Sequence, residues 1–256
     1  MDKELVSVIM PSYNSAKKIR ESIDSILRQT HSNLELLITD DRSDDEETIS
    51  ILKEYAAKDS RVKVFVLPQN NGAGVARNNS ITHATGRYIA FCDSDDMWFP
   101  EKLEKQLTFM KEKDCCLCYG PYLTCDYDGN ITGKVRAPEK LTLAGEKHDN
   151  KIGCLTAMYD TMKYGKFYMP KIRKRQDWAL FLTIMKRCGM AYSVGEPLAI
   201  YRDTPNSISK NKLEMMKYNA RVYQEVFGYG VLHSYAYLLF VFLPCYFTKK
   251  IMNFVG

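Results

Sequence analysis

Two aspartates flank a small residue in the run Asp93-Ser94-Asp95, directly after a short apolar stretch at 87–92. Carboxylate oxygens are preferred ligands of hard divalent cations, which commonly accompany diphosphates. Two carboxylates on one tight turn can face a single site. The same residues also suit an ordinary acidic turn, with Asp96 capping the next element. The run therefore predicts a metal-diphosphate site only if other polar groups converge on it.

A second acidic run, Asp40 to Glu47, follows another apolar stretch. Its later members, residues 44–47, are typical of a helix start, where the helix dipole stabilises negative charge. Ser43 or Asp44 is the predicted cap of that helix. Asp41 lies before the cap, and a carboxylate there can accept a hydrogen bond from the N–H of a nucleotide base.

Two further segments carry candidate groups whose roles stay open. Asn71-Gly72-Ala73-Gly74 precedes a helical pattern containing Arg77, and glycines with a helix start suit an approaching anion. No Gly-Lys-Ser/Thr follows, so this is not a P-loop. Arg77 is either a ligand-facing cation or a solvated helix charge. Likewise, Asp177 in Gln176-Asp177-Trp178 is either an N-terminal helix acid or a general base beside an aromatic ring that stacks on a sugar.

The elements that must position these groups alternate along the chain. Apolar patterns predict strands over 5–10, 34–39, 62–67 and 87–92, and helices over 16–29, 44–57, 75–84 and 101–113. Strand and helix in alternation predict a parallel sheet, whose ligands bind at the carboxyl ends of the strands. Three of the four strands end in polar clusters, at 11–14, 40–41 and 93–96. We expect these clusters to share one crevice.

The second half of the chain has weaker patterns. They predict strands over 115–125 and 192–200, a hairpin turn at 126–130, a loop-rich segment at 132–153 and a helix over 177–187. The basic segment 166–175 is either a solvated, mobile loop or a cover over an acceptor site near a lipid diphosphate or anionic headgroups. We divide the chain into a first half (1–125), a second half (126–228) and a hydrophobic tail (229–256).

Composition is that of an ordinary globular protein, with 45% hydrophobic and 26% charged residues. The net charge of +5 is too small to argue for nucleic acid, and we expect no such partner. The 8 cysteines lie mostly in apolar runs, which indicates reduced, buried thiols and a cytoplasmic protein. The first residues carry charges of both signs and do not resemble a signal peptide.

The tail is the most hydrophobic part of the chain. Nearly every residue from Val231 to Phe247 is apolar or aromatic, and Lys249-Lys250 follows. As a helix this stretch would be about 25 Å long, short for a bilayer crossing, and Pro244 interrupts it. It is either a packed helix or an interfacial anchor, and its aromatic residues and lysines favour the anchor. We expect a peripheral protein on the inner face of the cytoplasmic membrane.

Together these segments resemble the family 2 glycosyltransferases, inverting enzymes of the GT-A fold, over roughly residues 5–210. The carriers of the resemblance are Val6 to Asn14, Glu35 to Asp45, Asn71-Gly72 with Ala76-Arg77-Asn78, and Gly86 to Asp96. Gln176-Asp177-Trp178 is similar to a family motif that often has Glu in place of Gln176. Tyr201-Arg202 and Asn206 to Ser209 look like the family's closing loop, with Asp203-Thr204-Pro205 where a His is often found.

The resemblance implies an α/β fold, with a mostly parallel sheet flanked by helices and a C-terminal hydrophobic helical tail. It places seven residues against the nucleotide sugar: Pro11, Tyr13, Asn14, Asp41, Arg77, Asp93 and Ser94. Within this set, Tyr13 would stack on the base, Asp41 would read its edge, which is usually uracil in this family, and Asp93 would lie near the ribose.

Further roles follow from the same resemblance. Asp95 would ligate Mn²⁺ or Mg²⁺ between the two phosphates, and Asp177 would deprotonate the acceptor hydroxyl. Trp178 and Arg202 would belong to the acceptor site or to the loop over the diphosphate. A single in-line displacement at the anomeric carbon would invert its configuration.

The implied activity is transfer of a sugar from a nucleotide-diphosphate sugar, UDP-linked, to a hydroxyl of a lipid-linked or cell-surface glycan. Products of this type include lipopolysaccharide O-antigen and capsule. One rival is a sugar-nucleotide pyrophosphorylase, which would have a glycine-rich, Arg-containing loop where this chain has Pro11-Ser12-Tyr13-Asn14. Another is an inactive nucleotide- or carbohydrate-binding module, which would need a broken metal or base site.

Overall fold

The computed structural model describes residues 4–204 and 212–245. Its first half contains β1 (Val6–Ser12), α1 (Ala16–Leu27), β2 (Leu34–Asp40), α2 (Glu46–Lys58), β3 (Val62–Val66), α3 (Ala73–His83), β4 (Tyr88–Phe91), β5 (Met97–Trp98), α4 (Lys102–Lys113), β6 (Leu117–Tyr119) and β7 (Tyr122–Cys125). Its second half contains β8 (Ile131–Val135), β9 (Lys140–Thr142), α5 (Leu143–His148), a 3₁₀ turn (Cys154–Thr156), β10 (Met158–Asp160), α6 (Gln176–Cys188), β11 (Met190–Ser193), β12 (Ala199–Arg202), α7 (Lys212–Phe227) and α8 (Val231–Tyr237), which continues as a π-helix (Leu238–Phe242).

Two sheets organise these elements. The larger has the strand order β3-β2-β1-β4-β10-β6-β11-β9, and the smaller has the order β5-β12-β7-β8. β1 pairs in parallel with β2 and β4, and β2 pairs in parallel with β3. β10, from the second half of the chain, runs antiparallel between β4 and β6. The predicted α/β fold is confirmed, with a parallel half and a mixed half joined in one sheet.

The two faces of β1 belong to two different cores, because successive strand residues point to opposite sides. Val6, Val8 and Met10 pack with residues of α1, α2 and α4 on one face. Ile9 packs with residues of α3 and α6 on the other. Helices therefore cover both faces, which explains why β1 is a continuous apolar run rather than an alternating one.

Several local predictions were wrong for reasons of tertiary structure. The segment 115–125 divides at Gly120 into β6 and β7, which belong to different sheets, and a Cβ at Gly120 would lie 2.9 Å from Val194 Cγ2. The segment 192–200 likewise divides into β11 and β12. The loop-rich segment 132–153 contains most of β8, all of β9 and α5. The cap of α2 is Asp45, which accepts from Glu47 N at 3.0 Å.

The C-terminal helices pack on the domain by one face only. Leu238 and Phe242 are buried, and the Phe242 ring lies 5.8 Å from that of Trp178. On the opposite side, Leu232 and Phe240 are 88% and 74% exposed. Within the described residues no single helix is long and apolar enough to cross a bilayer. The pair Glu214–Phe227 and Val231–Cys245 reaches the required length and apolar composition when both helices are counted together, but the pair is bent by 118°.

The predicted closing loop and the end of the tail fall outside the described residues. Pro205 and the segment Asn206 to Ser209 are among them, as are Phe247 and Lys249-Lys250. The role of the tail as a membrane anchor stays a prediction.

Candidate active site

The starts of α3 and α6 abut, and this contact brings the two halves of the site together. A Cβ added at Gly74 would lie 2.9 Å from Nε2 of Gln176, whose side chain is buried. Gly74 is thus required for the approach of a neighbouring helix rather than of a ligand. One turn further along α3 stands Arg77, and the residue after Gln176 is Asp177.

Arg77 is a buried cation that faces the acidic turn. Its side chain is 8% exposed and forms an ion pair with Asp93. Burial alone would lower the pKa of Arg77, but the charge of Asp93 outweighs this, with Asp177 contributing, and the pKa is raised. Nε of Arg77 has no partner among the described residues. The reading of Arg77 as a solvated helix charge is therefore excluded.

The acidic turn crowds three carboxylates. Asp96 N donates to Asp93 O at 3.2 Å, which closes the turn around Ser94 and Asp95. Burial, and then the charge of Asp93, raise the pKa of Asp95 to about 6. Burial, and then the charge of Asp95, hold the pKa of Asp96 well above its usual range. The pKa values of Asp95 and Asp96 stay raised although Arg77 and Arg202 lie nearby, so a bound cation would relieve the remaining repulsion between the carboxylates.

A metal ion fits this turn only together with a ligand. The described residues contain no group of three or more His, Cys, Asp or Glu side chains arranged to hold a metal. Mg²⁺ commonly takes one or two carboxylates and completes its shell with substrate phosphates and water. Asp95, whose proton affinity is raised by crowding, would be the protein ligand in such a site.

Arg202 differs from its predicted place near the acceptor or the diphosphate. Its side chain is fully buried, with Nε donating to Asp95 O at 3.1 Å and Nη1 donating to Tyr127 O at 2.8 Å. Nη2 pairs with Glu21 at 2.5 Å, and the backbone N donates to Asp96 Oδ1 at 3.1 Å. Arg202 therefore positions the acidic turn from behind.

Replacing Arg202 with Met is expected to lower the free energy of unfolding by about 3–5 kcal/mol, because buried acceptors lose their donors. Urea unfolding measures the change. The control is Lys105→Met, which removes an exposed 2.8 Å pair with Glu196 and should change stability by less than about 1 kcal/mol. Equal losses in the two variants would contradict the assignment.

The predicted base-binding residues lie at the ends of β1 and β2. Pro11 is buried in β1, whereas Tyr13 is 46% exposed, with its hydroxyl 3.5 Å from Asp44 Oδ2. Asn14 accepts from the backbone N–H groups of Asp44 and Asp45 at 3.0 and 3.2 Å. Asn14 thus ties the two loops together and leaves the exposed ring of Tyr13 available for stacking.

Asp41 holds the loop before α3. Its carboxylate oxygens accept from Asn71 N at 2.8 Å and from Gly72 N at 2.7 Å. Each oxygen keeps a second lone pair, so a base could still be contacted. Asp41 links the ends of β2 and β3 to the helix that carries Arg77.

A cavity of about 810 Å³ opens beside the acidic turn, within the size range of small-molecule sites. Asp93 and Asp96 line one part of it, and Asp177 lines another. Tyr122 and Tyr201 add aromatic walls, with ring centroids 6.2 Å apart. Burial, reinforced by Tyr201, raises the pKa of Tyr122 to about 12, which keeps its hydroxyl a donor. Asp177 and the acidic turn therefore share one cavity.

Trp178 does not face this cavity. The ring is fully buried, and Nε1 donates to Glu146 O at 2.9 Å. Neighbouring residues on a helix point about 100° apart, so the helix that turns Asp177 to the cavity turns Trp178 to the core. A stacking role for Trp178 on a sugar is not supported.

Sequence reasoning missed much of the cavity wall. His148, Asp149, Asn150, Lys151 and Cys154 all line it, in a segment interpreted as loop. Six consecutive polar residues, 146–151, are the signal that could have drawn attention to this wall. Arg175 also lines it, at the end of the basic segment 166–175.

Curated relatives are similar along most of the chain. The putative teichuronic acid biosynthesis glycosyltransferase TuaG of Bacillus subtilis is 45% identical over 225 residues, which is 88% of this chain and 89% of the relative. The UDP-Glc:alpha-D-GlcNAc-diphosphoundecaprenol beta-1,3-glucosyltransferase WfgD of Escherichia coli is 40% identical over 218 residues, which is 85% of this chain and 84% of the relative.

The fold has a solved counterpart. S. aureus TarS 1-349 in complex with UDP-GlcNAc matches with a TM-score of 0.66 at 23% identity, covering 90% of this chain and 69% of that one. The α/β GT-A-type architecture implied by the resemblance is confirmed by the fold. In addition, the sequence profile of Glycosyl transferase family 2 matches residues 7–172. This chain belongs to glycosyl transferase family 2.

Proposed function

We propose that the protein transfers a sugar from a UDP-linked donor to a hydroxyl of a lipid-linked glycan, with inversion at the anomeric carbon. The carrying observation is the shared cavity, which Asp177 borders together with Asp93 and Asp96 of the acidic turn. The carboxylates of the acidic turn suit the diphosphate side of the donor, and the carboxylate of Asp177 suits the acceptor. The enzyme would build a bacterial surface polysaccharide, as the names of its relatives support.

In this proposal the donor binds to residues at the carboxyl ends of the parallel strands. Tyr13 stacks on the base, Asp41 supports the loop beside it, and the ribose lies near Asp93. Asp95 would hold Mn²⁺ or Mg²⁺, and the bound cation would supply positive charge for the leaving diphosphate. Arg77, held in place by Asp93, adds a fixed positive charge on the same side.

Asp177 supplies the base. It stands in the first turn of α6 and borders the cavity to which we assign the acceptor. Its carboxylate takes the proton of the acceptor hydroxyl as the oxygen attacks the anomeric carbon. The bond to the diphosphate breaks on the opposite side of the ring, so an α-linked donor yields a β-linked product. No covalent intermediate on the protein is needed.

The function is tested by incubating the full chain with Mn²⁺, a panel of UDP-, GDP- and dTDP-sugars, and GlcNAc-diphosphate bearing a short alkyl chain. The expected result is transfer from a UDP-sugar, with NMR coupling constants that report a β-linkage. A retained α-configuration would overturn the displacement mechanism. Release of diphosphate from a sugar phosphate and UTP, without transfer, would indicate a pyrophosphorylase instead.

The exposed face of the C-terminal helices is proposed to lie in the membrane interface, where the lipid-linked acceptor is found. The double change Leu232→Glu with Phe240→Glu is expected to weaken binding to phosphatidylglycerol vesicles by at least about 100-fold, since each side chain contributes about 1.5–3 kcal/mol when buried in an apolar phase. Vesicle sedimentation measures it. Both residues are exposed, so the fold should be little affected.

The matched control is Ile131→Glu, which places a charge on an equally apolar, 53% exposed residue of β8. It should leave vesicle binding unchanged. Undiminished sedimentation of the double variant would exclude the helix as an anchor. These substitutions are a sharper test than deletion of 230–256, because deletion would also remove Phe242 from the core around Trp178.

A further inference from the structure

Three cations that form no ion pair with a described residue line the cavity of the proposed active site. Arg136, Lys151 and Arg175 all border it, and none of them forms an ion pair with another described residue. The donor side of the same cavity is acidic, with Asp93 and Asp96. The cavity wall therefore carries groups of both charges, which suits a site for two different ligands.

Arg175 is built into this wall rather than left on the surface. It occupies the N-cap position of α6 with φ of 64°, a left-handed conformation that is costly for a side chain of this size. Its Nε is buried and has no partner among the described residues. Asn150, with its amide oriented to satisfy both neighbours, accepts from Nη1 of Arg175 at 3.1 Å and donates to Glu146 at 3.1 Å.

Glu146 also fixes the backbone that carries Lys151. Its Oε2 accepts from Lys151 N at 2.9 Å, and burial holds its pKa well above the usual range. Glu146 therefore positions the backbone of Lys151 directly and the guanidinium of Arg175 through Asn150. Asp149 also borders the cavity, and it is the one carboxylate in the wall segment 148–154.

We propose that Arg136, Lys151 and Arg175 bind the diphosphate of a lipid-diphosphate acceptor, and that the sugar attached directly to this diphosphate receives the transferred sugar. The proposal rests on the proposed function. The anion class follows from three unpaired cations together with the start of α6, where the helix dipole also favours negative charge.

The position of the accepting sugar follows from chain geometry. Arg175 and Asp177 are two residues apart, so their Cα atoms are separated by at most about 7 Å. A phosphate held by Arg175 would therefore lie close in the chain to the proposed base, which favours transfer to the sugar attached directly to the diphosphate.

The test compares two soluble acceptors with the same short alkyl chain: α-GlcNAc-diphosphate-alkyl and the neutral α-GlcNAc-alkyl glycoside. For Arg175→Ala, Arg136→Ala and Lys151→Ala we expect the KM of the diphosphate acceptor to rise by about 10–100-fold, as for loss of a charge-assisted contact. The ratio of kcat/KM between the two acceptors should fall by a similar factor. Arg175→Lys should recover part of it.

The matched control is Lys134→Ala, which removes an exposed cation on β8 that does not border the cavity. An unchanged ratio in all three cavity variants would overturn the proposal, and so would an equal loss with both acceptors. If the cations instead read lipid headgroups, the variants would lose binding to phosphatidylglycerol vesicles and keep wild-type kinetics on the soluble acceptors, which also contradicts the proposal.

A separate measurement distinguishes failure of the acceptor-diphosphate site from failure of the proposed glycosyltransferase function. Calorimetry measures binding of the α-GlcNAc-diphosphate-alkyl probe to the wild-type protein with saturating UDP and Mn²⁺, which block the donor site. Binding that is lost in Arg175→Ala supports the subsite even if no nucleotide sugar is turned over. Absence of binding in the wild-type protein would overturn it.

Discussion

Replacing Asp177 with Asn is expected to lower kcat for sugar transfer by about 10²–10⁴-fold, the range for loss of a general base. The Kd for UDP-sugar with Mn²⁺ should stay within about twofold, because Asp177 belongs to α6 and the proposed donor contacts come from the strand ends. The amide keeps the shape of the side chain and its place in the first turn of the helix. The change removes the negative charge of the side chain and with it the capacity to take a proton.

The measurement pairs single-turnover transfer with calorimetric donor binding. Asp177→Glu, which keeps the charge, should retain more activity than Asp177→Asn. Asp128→Asn, at an exposed carboxylate in the β7–β8 hairpin, should match the wild type in both assays. Normal transfer by Asp177→Asn would remove Asp177 as the base, and loss of donor binding would show that its role lies on the donor side.

Replacing Asp95 with Asn is expected to have opposite effects on function and stability. Mn²⁺-dependent donor turnover should fall by at least about 100-fold, because the amide is a weak ligand for a hard cation. Without metal, the variant should be more stable than the wild type at pH 8 by roughly 1–2 kcal/mol, because it lacks a carboxylate whose pKa burial and the neighbouring Asp93 raise to about 6.

The pH dependence has a defined sign. The folded-state pKa of Asp95 lies above its ordinary value of 3.8, so the folded protein holds this proton more tightly than the unfolded chain. The cost of ionising Asp95 is therefore absent below about pH 4 and complete above about pH 6. Thermal unfolding in EDTA should show a Tm advantage for the variant at pH 8 that shrinks toward pH 4.

Two controls accompany this experiment. Asp128→Asn should show no such Tm advantage, because its carboxylate is exposed. UDP with Mn²⁺ should raise the Tm of the wild type and not of Asp95→Asn, since a ligand stabilises only the state it binds. An equal rise in both proteins, or a variant less stable at pH 8, would contradict the assignment of Asp95.

The sequence predicted the first half of the fold well because its signals are local. β1, β2 and β4 are buried apolar runs that end at turn residues, and α1 has a helical apolar period. β10 was missed because its three residues, Met158–Asp160, form a strand only between the edges of β4 and β6. No local pattern reports a partner that lies dozens of residues away.

The site shows the same limit. The strand-end clusters were found because parallel strands bring their carboxyl ends to one edge. The direction in which each side chain points could not be predicted from the sequence. Trp178 and Arg202 were therefore placed in the site, although both side chains are buried behind it. The wall formed by 148–154 was missed because its place depends on Glu146, a buried carboxylate that fixes a loop.

The contact between Gly74 and Gln176 has a consequence for how such sequences can diverge. Because a Cβ at position 74 would lie 2.9 Å from Nε2 of Gln176, a larger residue there requires Gln176 to take another rotamer, a shorter residue at 176 or a wider gap between the two helix starts. A wider gap would move Arg77 away from Asp177 and so separate the donor cation from the base. Changes at position 74 that keep this gap are therefore expected to be absorbed by the side chain at 176, although the two positions lie on different halves of the chain.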